Sequence, residues 1–403
     1  MKTHNPIAAI LFTLILGVSC ICSAQIKGTI WDVRDIYQIP AYQTLSADSA
    51  LEIIYQGLKY KGRPQNVYAY YASPGTLKGD RTKDKNLPAV VLVHGGGGTA
   101  FKKWAIMWAK KGYAAIAMDL RGNDGTKKHI EGGFDEPDGQ TPYFTITPGL
   151  NEQWMYQAVA DVILAHNLIR SFKEVDPKRT ALTGISWGGI ITCLLAGIDD
   201  RYQAAVPVYG CGYLFENSEM RKSLDLLNAA DRQTWVTQYD PSQYLAKAKM
   251  PMLFINGTND GHFFLDSYAK TYNLVKNRNI SVKIGLKHNH AFGWGNAEIY
   301  PFIDSYVNSS PGLATLDKPK ITKECITAEV KATVALNTAY LNYTTDTNPS
   351  LKDRKWQQME VELKNNRIST AAIPNGTRIW YFSVTDERGL QTSGDLQWSE
   401  PNK

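Results

Sequence analysis

The chain has 403 residues, 43% of them apolar, with 44 basic side chains against 38 acidic ones and a formal net charge of +6. That length sets an expectation of two domains with ample core. The charges are interspersed, the longest basic patches being pairs such as Lys102-Lys103 and Lys110-Lys111, so no continuous stripe exists to follow a nucleic-acid backbone and no nucleic-acid partner is expected.

At the N-terminus, Lys2 precedes an apolar run from Ile7 to Val18, and small residues then lead to Cys22-Ser23-Ala24-Gln25. This tripartite layout predicts a signal peptide over 1–24, cleaved after Ala24, and a secreted or periplasmic product. The run is short for the ~20 residues of a membrane span, so no stable span is expected. Cys20 after Gly17-Val18-Ser19 offers a lipoprotein anchor as the lesser alternative, since glycine stands where such a signal normally carries leucine. Of five cysteines, Cys193, Cys211 and Cys325 follow the cleavage point. An odd count gives no disulfide framework, although a Cys193–Cys211 bridge stays open. No Cys-x-x-Cys, His-Glu-x-x-His or calcium-loop pattern occurs, so neither a metal nor a cofactor is expected.

Downstream, "ALEIIYQGLKY" and "QNVYAYYASP" read as two strands joined by a Lys-Gly-Arg-Pro turn. Short apolar runs then alternate with helical patterns. The strands are "PAVVLV", "YAAIAMDL", "TALTGIS", "AAVPVYG", "MPMLFING" and "SVKIGL"; the helices are Phe101–Lys111, Glu152–Phe172, Gly188–Gly197, Leu265–Lys276 and Ala297–Val307. Continuous apolar strands alternating with helices predict an α/β fold, a mostly parallel sheet covered on both faces. The long connection from Cys211 to Lys249 reads equally as a lid or as added surface helix. From Pro311 the pattern changes to apolar–polar alternation with Asn, Gly and Pro turns, which predicts a small all-β sandwich. The expected division is therefore 25–310 for the α/β unit and 311–403 for the sandwich, the latter an accessory unit on which turnover of small substrates should not depend.

Chemistry enters at "TALTGISWGG". Gly184-Ile185-Ser186-Trp187-Gly188 is G-x-S-x-G placed between a strand and a helix, the context of a nucleophile elbow that exposes a serine oxygen on a sharp turn. A serine hydroxyl needs a base. In this architecture an acid and then a histidine should follow at the ends of later strands. Asp260, in "NGTNDGHF", supplies the acid. His290, in "KHNHAFGWG", is the preferred base, with His288 as a loop or substrate-side residue.

"VVLVHGGGGTAF" poses a separate question, because Gly95, Gly97 and Ala100 also fit a G-x-G-x-x-A dinucleotide fingerprint, with Asp119 roughly where a ribose-binding acid would sit. A dinucleotide fingerprint normally opens its domain, whereas this loop follows the third strand. It is read instead as an oxyanion loop: Gly96 or Gly97, with Gly98 possible, gives one N–H, and Trp187, next to the nucleophile, gives the other. Asp119 becomes an end-of-strand residue. Phe263 and Trp294 are the candidate substrate-side aromatics, together with Trp187 and Phe292; Trp104 and Trp108, four apart, read as helix packing.

Taken together, "LVHGGGGTAF", "GISWGG", "GTNDGHF" and "NHAFGWG" resemble the α/β-hydrolase superfamily, and within it the secreted bacterial acetylxylan esterase and dienelactone-hydrolase-like group near the prolyl-oligopeptidase-type enzymes. The resemblance spans Leu51 to Val307. It implies two-step acyl transfer through Ser186, Asp260 and His290 on an acylated carbohydrate or other small ester. The glycine run replaces the His-Gly-Tyr form of one deacetylase group, and the C-terminal sandwich lies outside the minimal family. The competing functions are a prolyl-oligopeptidase-type serine peptidase and a non-catalytic glycan-binding protein on a hydrolase fold.

Overall fold

In a computed structural model, residues 29–135, 143–146 and 149–399 are described; the expected leader at 1–24 lies outside them. The strands before residue 300 are β1 (Tyr42–Ala47), β2 (Leu51–Tyr60), β3 (Arg63–Ala72), β4 (Leu87–Val93), β5 (Ala114–Met118), β6 (Val175–Ile185), β7 (Ala204–Val208), β8 (Met252–Gly257) and β9 (Arg278–Lys283). They pair in the spatial order β1-β2-β3-β5-β4-β6-β7-β8-β9. Pairing is antiparallel from β1 through β3 to β5 and parallel from there on. The parallel strands β4, β5, β7 and β8 are buried along almost their whole length, as their unbroken apolar sequences require when both faces are covered.

Nine helices occur among the described residues: α1 (Pro74–Leu77), α2 (Lys102–Ala109), α3 (Trp154–Ser171), α4 (Trp187–Ile198), α5 (Arg221–Leu224), α6 (Ala229–Tyr239), α7 (Leu265–Tyr272), α8 (His290–Trp294) and α9 (Ile299–Val307). The step from β4 through α2 to β5 runs one way across the sheet. The steps from β5 through α3 to β6, and from β6 through α4 to β7, run the other way. Right-handed crossovers of opposite direction put α2 on one face and α3 and α4 on the other. Trp108 of α2 meets Tyr300 of α9 with ring centroids 5.9 Å apart, closing the first face. The register sets Val93 beside Gly184, Ile185 beside Val208 and Gly257 beside Lys283. The loops leaving β4, β6, β8 and β9 therefore emerge at one edge, where the parallel strands end.

The connection from Cys211 to Lys249 folds into α5, α6 and short 3-10 turns. It is anchored by the buried Trp235, whose indole N–H donates to the Tyr143 carbonyl at 2.9 Å. The buried Asp240 carboxylate takes the backbone N–H groups of Tyr213, Leu214 and Ser242, each at 2.9 Å. Cys193 and Cys211 are both buried and free, so the bridge left open by the sequence is not formed.

Beyond residue 310 lie β10 (Thr315–Leu316), β11 (Lys320–Ile321), β12 (Ile326–Lys331), β13 (Leu336–Thr344), β14 (Gln357–Lys364), β15 (Arg367–Thr370), β16 (Ile379–Asp386), β17 (Gln391–Ser393) and β18 (Gln397–Trp398), all antiparallel to one another. Leu341, Ile368, Trp380, Phe382 and Val384 form a second core. The period of two along β16 decides how this unit attaches. Trp380, Phe382 and Val384 turn into the second core, while Ile379 and Tyr381 turn into the main one. β17 pairs with β9 at Ser393–Ile280, Arg278 pairs with Asp395 at 2.9 Å, and the Leu396 N–H donates to the Tyr272 hydroxyl at 2.9 Å.

Candidate active site

Ser186 sits between β6 and α4 with φ 59° and ψ −116°, a conformation that L side chains rarely adopt. The surroundings impose it. The Ser186 N–H donates to the Val208 carbonyl at 2.9 Å. A Cβ on Gly184 would lie 2.1 Å from the Gly188 oxygen, and one on Gly188 2.1 Å from the Val93 oxygen, so both flanking positions admit only glycine. The turn thus pushes the hydroxyl out above the sheet edge, at the positive N-terminal end of α4, where the first helical amide, that of Trp187, has no carbonyl of its own helix to bond.

The geometry assigns the histidine differently from the sequence. His288, not His290, stands between nucleophile and acid: its Nε2 lies 2.9 Å from Ser186 Oγ and its Nδ1 2.6 Å from Asp260 Oδ2. With Nδ1–H donating to the carboxylate, Nε2 is left to accept the serine proton. Asp260 is buried, and its other oxygen accepts the N–H groups of His262 at 2.8 Å and Phe263 at 2.9 Å. Tyr209 stacks on the His288 ring at 4.4 Å, and its hydroxyl donates to the Lys287 carbonyl at 2.7 Å, which fixes the plane of the imidazole.

His290 turns away because it is the first residue of α8. Asn289 caps that helix, its side-chain oxygen accepting the Phe292 N–H at 2.9 Å. His288 is therefore the last loop residue, and His290 projects from the first helical turn toward Phe101 and the glycine loop. Its Nε2 accepts the Gly95 N–H at 3.0 Å. An Asn three residues before an aromatic is a readable N-cap signal, and it would have separated the two histidines.

In the glycine loop, the Gly95 carbonyl accepts from His94 Nδ1 at 2.7 Å and from the Gly98 N–H at 3.0 Å. His94 Nε2 accepts the Leu120 N–H at 3.0 Å. Burial pushes His94 down to about 4, and burial followed by the neighbouring His94 pushes His290 down to about 4, so both rings are neutral near pH 7. The amides of Gly95 and Gly98 are thus spent within the loop, which leaves Gly96 and Gly97. Gly96 lines the cleft beside Ser186, whereas Gly97, in the left-handed region at φ 67°, does not.

The cleft has a volume of about 310 Å³ and is walled by Gly96, Ile185, Trp187, Met220, His262, Asn289 and the edge of His290 around Ser186 and His288. Met220, His262 and Asn289 were not singled out from the sequence, since their roles depend on loops that approach only in three dimensions. Two expected substrate-side residues fall outside it. Phe263 is fully buried and packs behind His288 at 5.9 Å, serving the acid loop instead. Trp294 packs on Phe101 at 5.0 Å and Trp104 at 5.7 Å and borders a separate small pocket. His288, expected on the substrate side, bridges Ser186 and Asp260 instead. Asp119 is a loop anchor: one oxygen accepts the N–H groups of Arg121 at 2.7 Å and Asn123 at 2.8 Å, and burial lifts its carboxyl to about 6. Among the described residues no group of three His, Cys, Asp or Glu could hold a metal ion, and no helix is long and apolar enough to cross a membrane.

The family model for acetyl xylan esterase (AXE1) matches residues 34–242, a stretch that holds the glycine loop and Ser186 and ends before Asp260 and His288. Two solved structures are similar in fold. The acetyl xylan esterase from Paenibacillus sp. R4 has a TM-score of 0.54 and 20% identity, covering 68% of this chain and 92% of that one. Acetyl xylan esterase 1 from Thermoanaerobacterium sp. JW/SL YS485 has a TM-score of 0.53 and 18% identity, covering 68% and 94%. Among curated proteins, the human acylamino-acid-releasing enzyme is 25% identical over 323 residues, 75% of this chain but 38% of its own length. The α/β-hydrolase architecture expected from the sequence is the architecture these relatives share.

Proposed function

The chain belongs to the acetyl xylan esterase (AXE1) family, and from that premise we propose that it is a serine hydrolase that removes small acyl groups, acetyl above all, from an acylated carbohydrate. One observation carries the reading: Ser186 Oγ, His288 Nε2, His288 Nδ1 and Asp260 Oδ2 form a continuous hydrogen-bonded line opening into a cleft.

The steps follow from that line. His288 takes the Ser186 proton as Oγ attacks the ester carbonyl, and Asp260 stabilises the imidazolium that forms. The negative charge on the carbonyl oxygen is met by the N–H groups of Gly96 and Trp187. His288 then returns its proton to the departing sugar oxygen, and a water activated by the same ring releases the acyl group. The buried faces of Trp187 and Met220 suit a short acyl chain, while His262 and Asn289 offer hydrogen bonds to an alcohol portion rich in hydroxyls. The signal peptide read from the sequence would bring the enzyme outside the cytoplasm, where such polymers are found.

The test is a fluorophosphonate label with peptide mapping, followed by a panel of acetylated xylan, acetylated monosaccharides, nitrophenyl acetate and an acyl-amino-acid amide. Labelling at Ser186 with ester turnover supports the reading. The likeness to the acylamino-acid-releasing enzyme favours the amide as the competing substrate, and faster cleavage of that arm than of every ester would replace esterase by peptidase.

A further inference from the structure

We propose that His290 is a positioning residue that aims the oxyanion donor, acting as a neutral hydrogen-bond acceptor for the glycine loop; this rests on the acyl-transfer reading above. Two consecutive peptide planes of the loop are each held by an imidazole. The plane joining His94 to Gly95 gives its N–H to His290 Nε2 at 3.0 Å. The plane joining Gly95 to Gly96 offers its carbonyl to His94 Nδ1 at 2.7 Å and to the Gly98 N–H at 3.0 Å. A trans peptide is planar, and its N–H points opposite to its C=O. Fixing the Gly95 carbonyl toward His94 therefore fixes the Gly96 N–H in the opposite direction, on the side where Gly96 borders the cleft with Ser186 and Trp187.

His290 completes the clamp. Without an acceptor for its N–H, the first plane could rotate about the glycine and carry the second with it, since Gly95 has no side chain to resist. The clamp leaves no space for one: a Cβ on Gly95 would lie 2.9 Å from Ser186 Cβ and 3.2 Å from His290 Nε2, and one on Gly98 would lie 2.8 Å from both His290 Nε2 and His94 Nδ1. The ring itself is braced by Phe101 at 4.8 Å and Trp294 at 6.4 Å. Phe101 and Trp294 thus support the ring that holds the glycine loop. Because Nε2 must accept, the ring must be unprotonated there, and its burial close to His94 and His288 disfavours a second proton.

The test compares wild type with His290→Phe, which keeps the packing but has no acceptor, and His290→Gln, whose side-chain oxygen reaches about where Nε2 lies. On nitrophenyl acetate, His290→Phe should lower kcat by about 10- to 100-fold with KM little changed, less than the ~10²–10³ seen when an oxyanion donor is removed outright. Affinity for a trifluoromethyl ketone, which forms a tetrahedral adduct, should fall in parallel, and His290→Gln should recover most of both losses. A His290→Phe enzyme within twofold of wild type in kcat overturns the assignment, as does a His290→Gln enzyme no better than His290→Phe. Should His290→Phe not fold, His290→Ala against His290→Gln gives the same comparison at this half-exposed site. Wild type that turns over neither an ester nor the acyl-amino-acid amide brings down the acyl-transfer reading and this assignment together; wild type that turns over either, matched by His290→Phe, brings down this assignment alone.

Discussion

The side-chain amide of Asn259 donates to the main-chain oxygen of Arg354 at 2.8 Å, and its second hydrogen goes to the Lys352 oxygen at 2.8 Å. The residue directly before the acid Asp260 is thus held by a loop of the C-terminal β unit. With the β9–β17 pairing and the burial of Tyr381 in the main core, this tie predicts that turnover depends on the sandwich, against the expectation that it is dispensable. Asn259→Ala should lower kcat on nitrophenyl acetate by roughly ten- to a hundredfold, the scale expected when a catalytic group drifts by about an ångström. Truncation at Pro311 should yield aggregated or inactive protein. A soluble truncated chain with wild-type turnover would show that the contact is incidental.

The two histidines of "KHNHAFGWG" should part company under mutation. His288→Ala and Ser186→Ala each remove one end of the 2.9 Å bond between them, and each should cut turnover on the order of 10⁶-fold, with circular dichroism unchanged. His290→Phe should still be labelled at Ser186 by fluorophosphonate, more slowly than wild type but far faster than the His288→Ala variant. Equal loss in the His288 and His290 variants would contradict the geometry.

Ser186 stores backbone strain at φ 59° and ψ −116°, worth on the order of 1–3 kcal/mol for a residue with a Cβ. Glycine adopts that conformation without penalty but gives back part of the gain in unfolded-state entropy. Both Ser186→Gly and Ser186→Ala should be inactive, with the glycine variant more stable than the alanine variant by about 1 kcal/mol in urea unfolding. A glycine variant that melts below the alanine variant would mean that the turn is not strained.

His166 is buried, stacked on Tyr202 at 3.8 Å, with Nε2 2.9 Å from Thr180 Oγ1. Burial pushes it down to about 4. Below the ordinary histidine range the unfolded chain takes up a proton that the folded chain refuses until about pH 4. The stability this group contributes is therefore complete above ~6.5 and is lost as pH falls toward 4, by on the order of 3 kcal/mol. Asp119, lifted to about 6 by burial, titrates in the same window with the opposite sign, so the difference between two proteins is the informative quantity. The cost of His166→Gln should shrink by roughly 3 kcal/mol between pH 7 and pH 4. A cost that stays constant across that range would show that His166 carries its proton in the folded state.

Local rules made much of this molecule legible. The parallel strands are written as unbroken apolar runs because they are covered on both faces. The elbow is written as Gly184-x-Ser186-x-Gly188 because a Cβ at either glycine would lie 2.1 Å from a backbone oxygen. Asp260 is recognisable because it follows an apolar strand in a turn-rich loop. These signals act within about ten residues, the range over which backbone sterics and periodicity operate. What the sequence left to the tertiary structure is which of two histidines, two positions apart, reaches the serine, which glycine amide stays free, and that the C-terminal unit braces the acid loop. Each depends on groups far apart in the chain: His288 answers to Asp260 and Tyr209, His290 to Gly95, Asn259 to Arg354. Such choices are made by packing at the sheet edge, where the loops leaving β4, β6, β8 and β9 come within hydrogen-bonding distance only after the sheet has set their starting points.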